Sequence, residues 1–257
     1  MARRDGVVAG LGTMTRPRTV LAIGGSDPSG GAGIQADLKA FHAQGVYGMA
    51  VITALTVQNT HGVRGVRLVT EDVIRAQIDA VLDDVPVDAV KIGMLGTRAA
   101  VRAVTAALAR WTGPLVIDPV GVAKGGWTLQ GPATIKALAD LATRATLVTP
   151  NLLEEWAFPT CPRLVKGGHG EGARLSDVLY LIESGMVLEA RRWSHPRIDS
   201  LHTHGTGCVL ASTLAARLAI GDPLEAACDI AIAYVQRQIR ASIGGLGGGN
   251  GPLWQVG

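Results

Sequence analysis

Short apolar runs that alternate with stretches of helical periodicity constrain this chain more than any other feature. Thr19 to Gly24 reads as a strand, Gly33 to Gln44 as a helix and Tyr47 to Val57 as a β-rich segment. Glu71 to Val85 is helical, with Ala76, Ile78, Val81 and Leu82 on one side. Ala89 to Leu95 and Pro114 to Val120 are strands on either side of a helix from Thr97 to Trp111. Ala133 to Ala145 predicts a further helix and Thr146 to Pro150 a strand, with Arg163 to Gly167 and Val178 to Glu183 as shorter strands. Repeated βα units of this kind predict an α/β fold with a largely parallel central sheet and helices on both faces.

The last quarter of the chain changes character. A glycine loop at Gly205 to Gly207 opens an apolar helix from about Cys208 to Ala219, and a second helix runs to about Ala241, with Asp222 as its expected cap and Pro223 at its first position. Glycine density from Gly244 to Pro252 predicts a flexible close. We therefore expect a loose tail over residues 1–18, a single domain over 19–243 and a glycine-rich tail over 244–257, without repeats or an interdomain linker. Met14 stands shortly before the first strand and is a candidate translation start.

A length of 257 residues with 47% hydrophobic and 18% charged side chains allows a substantial core within one domain. The net charge of +3, from 24 basic and 21 acidic residues, contains no basic block, which argues against a nucleic-acid or polybasic membrane surface and leaves small anionic ligands open. Arg3 and Arg4 precede only a short, glycine-broken apolar stretch, so neither a secretory signal nor a membrane span is expected there. Cys161, Cys208 and Cys228 lack CxxC spacing, which argues against a disulfide framework or structural zinc and suits a reducing cytoplasm.

Chemistry concentrates in a few segments. In His204-Gly205-Thr206-Gly207-Cys208 two glycines permit a tight turn, after which the N–H groups of a first helical turn converge at the positive end of the helix dipole. Such donors form an anion hole able to stabilise charge on a phosphoryl group in transfer. Cys208 at the helix start is expected to favour thiolate and to serve as a base. Read alone, the same residues describe a glycine turn before a buried cysteine. Gly24 to Gly33 is a glycine-dense loop between the first strand and first helix, at the strand end where open α/β sheets bind ligands. It is neither a Walker loop nor a dinucleotide fingerprint. Asp118 and Glu154 lie at strand ends, where oxygen ligands can hold magnesium against nucleotide phosphates, although each could equally be a turn or helix-start residue. Lys166 precedes a glycine turn and can reach phosphate, whereas His42, His61 and His195 fit no metal-ligand spacing.

Taken in order, AIGGSDPSGGAGIQADLKAF, VITALTVQNTHGV, VKIGMLGT, VIDPVGVAKGG, LVTPN, LVKGGH and HTHGTGC resemble hydroxymethylpyrimidine phosphate kinases, a branch of the ribokinase-like superfamily, from Thr19 to about Ile239. The resemblance implies a ribokinase-like fold and transfer of the ATP γ-phosphoryl group to 4-amino-5-hydroxymethyl-2-methylpyrimidine and then to its monophosphate, for thiamine biosynthesis. It implies that Gly25, Asp37, Gln58, Met94 and Val120 line the pyrimidine pocket. Gly205, Thr206 and Gly207 would form the anion hole and Cys208 the catalytic position, with Asp118 and Glu154 organising Mg²⁺ and Lys124 and Lys166 near the phosphates. The implied partners are the two pyrimidines and ATP, and a homo-oligomer is compatible with the sequence. Two departures stand out. Gly121 and Trp127 replace a larger apolar and an acidic residue, and only LLEEWAFPTCPRL joins Asn151 to Val165, where the family inserts a longer helical connection. A parallel crossover of that length is at the lower limit, so either its helix shrinks to a turn or the local topology changes. Pyridoxal kinase and a noncatalytic pyrimidine-binding regulator are the alternative readings.

Overall fold

The computed structural model describes residues 16–123, 126–242, 244 and 246–255. Its centre is a nine-stranded sheet: β1 (Thr19–Ser26), β2 (Tyr47–Asn59), β3 (Gly62–Leu68), β4 (Ala89–Ile92), β5 (Leu115–Ile117), β6 (Leu147–Val148), β7 (Arg163–Val165), β8 (Arg174–Glu183) and β9 (Met186–Pro196). The spatial order is β3-β2-β1-β4-β5-β6-β7-β8-β9, with β2, β1 and β4 to β7 parallel and β3, β8 and β9 antiparallel.

Period-2 alternation decides which side chains face which helices. Leu21, Ile23, Val90, Ile92, Leu115 and Ile117 point to the face covered by α2 (Glu71–Leu82), α3 (Arg98–Ala107) and α4 (Pro132–Ala142). Val20, Ala22, Ala89, Val116 and Leu147 point to the opposite face, under α1 (Gly33–Ala43), α5 (Thr206–Ile220) and α6 (Leu224–Ala241). Fully burying one such Leu, Ile or Val contributes about 1.5–3 kcal/mol over leaving it exposed. Lys91 falls in the same register as Ala89, so a lysine is carried into the core and is only 1% exposed.

The structure departs from the sequence-based expectations at four places and decides between two alternatives at a fifth, the segment after Asn151. Strands β3 and β9 carry weak apolar alternation and are held by antiparallel pairing to β2 and β8 rather than by a buried face of their own. The short segment after Asn151 has reduced its helix to a 3-10 turn, Glu155–Ala157, while β6 and β7 stay parallel. Asp222 does not cap α6: Pro223 occupies that position, and the Asp222 carboxylate instead accepts from Arg217 Nε at 2.6 Å. The expected flexible close is docked, because Leu253 is 4% exposed among Ala36, Ala40, Val209 and Tyr234, and His204 N–H donates to Gly251 O. At the other end, Arg16 and Arg18 belong to the expected loose tail yet bind Asp88 at 2.7 and 2.9 Å; residues 1–15, with Met14, lie outside the described residues. Among the described residues no helix is long and apolar enough to cross a membrane.

Candidate active site

The carboxyl ends of the parallel strands open into a cavity of about 1020 Å³. Two irregularities in the sheet aim side chains into it, one between Gly24 and Gly25 in β1 and one between Val57 and Gln58 in β2. Bulges re-aim the chain in this way at sheet ends.

At one pole, the β1–α1 loop closes on the start of α5. Gly205 has φ +83, and a β-carbon there would overlap the Gly31 carbonyl oxygen, so only glycine allows the two loops to meet. Their contact carries a buried network. Asp27 Oδ1 accepts from Ser29 N–H (2.9 Å) and Ser29 Oγ (2.7 Å), and Oδ2 accepts from Ala32 N–H (2.9 Å) and lies 2.8 Å from His204 Nε2. Burial opposes charge on Asp27, but His204 and Ser29 outweigh it and hold the carboxyl below its ordinary range. Gln58 Nε2 is 3.2 Å from His204 Nε2, and Gly25, Met94 and Val120 line the same part of the cavity.

At the other pole, Asp118 at the end of β5 is fully buried. Its Oδ1 accepts from Lys166 Nζ (2.6 Å) and Thr149 Oγ1 (3.1 Å), while Oδ2 has no partner among the described residues. Burial would lower the Lys166 pKa, but Asp118 and Glu154 outweigh it and hold the ammonium above the usual lysine range. The start of α5 faces this pair: a β-carbon at Gly207 would lie 3.3 Å from Lys166 Nζ and 3.5 Å from Asp118 Oδ2. The N–H groups of Thr206, Gly207 and Cys208 belong to the first helical turn and have no intrahelical acceptor, that of Thr206 making only a long contact of 3.5 Å to Thr203 O. Glu154 is otherwise engaged, with Oε1 accepting from Gly121 N–H and Oε2 from Asn151 N–H.

Two expected residues behave differently from the sequence argument. Asp37 lines the cavity, but both of its oxygens are taken: Lys91 Nζ donates at 2.8 and 2.9 Å and Ser212 Oγ at 2.8 Å. Burial alone would discharge Lys91, and Asp37 reverses that and holds its ammonium above the ordinary lysine value. Cys208 is not a standing thiolate. Burial pushes its thiol up to about 11, with Asp37 and Asp118 adding to the shift, and Lys91 and the Gly33 N–H do not compensate. The helix end is thus outweighed by desolvation. Lys124 lies outside the described residues.

Sequence reasoning assigned no role to Asp27, Lys91, His204 or Asp177, whose Oδ1 accepts the Gly167 N–H at 2.8 Å beside Lys166 and whose Oδ2 lies 3.1 Å from His195 Nε2, a hydrogen-bonding histidine rather than a metal ligand. Lys91 carried a usable signal, a lone cation in a strand of otherwise apolar register. His204 stood inside a motif whose glycines drew the attention.

A sequence model described as phosphomethylpyrimidine kinase matches residues 27–160 and 160–254. The chain belongs to the phosphomethylpyrimidine kinase family. This phosphomethylpyrimidine kinase family member is 40% identical to the hydroxymethylpyrimidine/phosphomethylpyrimidine kinase of Streptomyces coelicolor, over 94% of its own length and 96% of that protein. It is also 40% identical to the thiamine biosynthesis multifunctional protein ThiED of Corynebacterium efficiens, but spans only 35% of that protein's length. Its fold is ribokinase-like, matching a solved phosphomethylpyrimidine kinase of Clostridium difficile (TM-score 0.71, 34% identity, 85% of this chain and 98% of that one). It matches the pyridoxal kinase of Staphylococcus aureus in complex with ADP with a TM-score of 0.81 at 27% identity, over 94% of each chain.

Proposed function

We propose that this chain is an ATP-dependent kinase of thiamine biosynthesis in the cytoplasm, phosphorylating 4-amino-5-hydroxymethyl-2-methylpyrimidine and then its monophosphate. The observation that carries this reading is the division of one cavity into an amide-bearing pole at Gln58 and an anion-accepting pole at Asp118, Lys166 and the start of α5. The pyrimidine lies against Gly25, Gln58, Met94 and Val120, with its hydroxymethyl group toward Cys208. The N–H groups of Thr206, Gly207 and Cys208 hold the transferring phosphoryl group, and Lys166 neutralises charge beside it. Preorganised donors of this kind act without a covalent intermediate. With its thiol resting protonated, Cys208 orients the substrate hydroxyl through a hydrogen bond rather than waiting as a charged base.

The donor set also fits magnesium. Asp118 Oδ2 is a buried carboxylate oxygen without a partner, and a group of three or more His, Cys, Asp or Glu able to hold a metal by themselves is absent among the described residues. Magnesium characteristically uses one or two carboxylates together with phosphate oxygens and water. Asp118 would hold it directly and Glu154 through water, and the ion would supply charge neutralisation on the nucleotide phosphates. Asp37, with both oxygens occupied, supports the floor of the pocket.

The test is an ADP-release assay with the hydroxymethylpyrimidine, its monophosphate and pyridoxal, each with and without chelator. Turnover of both pyrimidines, lost on chelation, is expected. Exclusive turnover of pyridoxal would instead favour the alternative suggested by the likeness to the Staphylococcus aureus enzyme, and pyrimidine binding without ADP release would favour a noncatalytic regulator.

A further inference from the structure

Helix α5 begins without a side-chain cap: Gly205 occupies that position, so no capping side chain takes up the first N–H groups. A Ser, Thr, Asp or Asn there would claim one of those donors for itself. Donors left free for an anion leave the entering chain to be held from outside. The glycine-dense C-terminal segment holds it. His204 N–H donates to Gly251 O at 3.1 Å, and His204 and Pro252 pair as a parallel bridge. Leu253 is then buried among Ala36 and Ala40 of α1, Val209 of α5 and Tyr234 of α6, and Cys208 packs against the same cluster. Cys208 and Val209 continue directly from the residues that carry the free donors.

The segment is also tied at both ends. Upstream, Gly249 N–H lies 3.3 Å from Thr60 Oγ1 in the turn between β2 and β3, and a β-carbon at Gly249 would overlap the Thr60 carbonyl oxygen, so glycine is what permits the approach. Downstream, Trp254 N–H donates to Ser242 Oγ at 3.0 Å, and that hydroxyl donates to Gln238 O at 2.7 Å at the end of α6. We propose that the C-terminal segment from Gly249 to Trp254 belongs to the phosphoryl-transfer machinery, with Leu253 as a positioning residue that holds the first turn of α5 in register with the transferring group. Leu253 does not line the cavity and acts through Val209 and Cys208. Preorganised donors lose much of their effect when displaced by about an ångström, so the packing behind them is felt in turnover rather than in pyrimidine binding. The inference rests on the proposed kinase reading and adds to it a part of the chain that lies outside the cavity.

The test combines turnover of the hydroxymethylpyrimidine with hydrogen exchange in the intact chain. Leu253→Ala should lower turnover at saturating ATP and pyrimidine by about tenfold, while the calorimetric affinity for the pyrimidine changes by less than about twofold. Leu253→Met refills the cluster and should retain most of the turnover. Leu108→Ala makes the same deletion in the core on the other face of the sheet, at the end of α3, and should lose thermal stability but not turnover. Gly249→Ala loosens the upstream tie without entering the core and should lower turnover roughly threefold, so the idea stays testable if Leu253→Ala does not fold. Exchange over residues 202–210, which needs no substrate, should be about tenfold faster in Leu253→Ala and faster also in Gly249→Ala, with β4 unchanged in both. Unchanged turnover in a folded Leu253→Ala, or in Gly249→Ala when only that variant folds, overturns the inference. An equal loss of turnover in Leu108→Ala, or a loss that falls on pyrimidine affinity instead, does the same. Absence of ADP release by the native protein would sink the kinase reading, and exchange alone would then decide: an unchanged rate over 202–210 leaves Leu253 a packing residue.

Discussion

Two buried aspartates in this protein each face a lysine, and they differ in one oxygen. Asp37 of α1 is saturated by Lys91 of β4 and Ser212 of α5. Asp118 is bonded by Lys166 and Thr149 through Oδ1 alone, and its Oδ2 is buried without a partner. Closed in this way, the first pair is a structural tie between β4, α1 and α5. The second is incomplete by itself, and an unsatisfied buried carboxylate oxygen is costly unless something else completes it. The difference separates a residue that holds the pocket from one that serves the ligand, although both are acidic residues at the same cavity.

The sharpest way to break this contrast is to remove one member of the closed pair. Lys91→Met leaves Asp37 as an uncompensated buried charge, and a loss of about 3–5 kcal/mol in unfolding free energy is expected from denaturant titration. A loss under about 1 kcal/mol would mean that Asp37 is protonated or reaches water, and the contrast with Asp118 would fail.

Asp118→Asn keeps the shape and removes the charge. Turnover is expected to fall by roughly 10²-fold, with the magnesium concentration for half-activity rising and pyrimidine affinity little changed. An equal loss of pyrimidine affinity, measured by calorimetry, would place Asp118 among the structural residues instead.

Gln58→Ala tests the opposite pole. It should weaken pyrimidine binding by about 1–3 kcal/mol and ATP binding far less, since it removes a ligand-directed hydrogen bond. Cys208→Ala should lower turnover by about tenfold, the worth of one orienting hydrogen bond, whereas Cys208→Ser, which keeps a donor and acceptor there, should retain most of it. Thiol alkylation should accelerate with pH up to about 11, because burial keeps the thiol protonated below that value. Rapid, pH-independent alkylation at neutral pH would restore the thiolate.

The smallest effect on activity belongs to a residue outside the cavity lining, just before β4. Asp88 is held below the ordinary carboxylate range by Arg16, against the opposing effect of burial and with help from Thr19 and Arg18. A depressed folded pKa means its stabilisation is present above the unfolded value of about 4 and is lost as pH falls below it. Asp88→Asn should therefore flatten the loss of thermal stability between about pH 4 and 2 and leave activity at neutral pH unchanged.

Much of this architecture is legible in the sequence. The apolar runs of β1, β4 and β5 are continuous because parallel strands bury both faces, and the positions of Gly205, Asp118 and Lys166 at element ends followed from that frame. Strands β3 and β9 were not legible, since they are secured by pairing to neighbours and expose much of their side-chain surface. Nor was the state of Cys208, because a helix start favours thiolate and burial opposes it, and only the packing around α5 says which is larger.

The order of elements and the kinds of groups that gather at the strand ends follow from the residue pattern alone, because periodicity and glycine placement are local properties. The partnerships come from the fold. Lys91 and Asp37 lie 54 positions apart, Asp118 and Lys166 48, and His204 and Asp27 177. Whether a buried charge is closed, open or aimed at a ligand depends on which distant group the fold brings within hydrogen-bonding distance. A one-dimensional pattern holds no record of that distance.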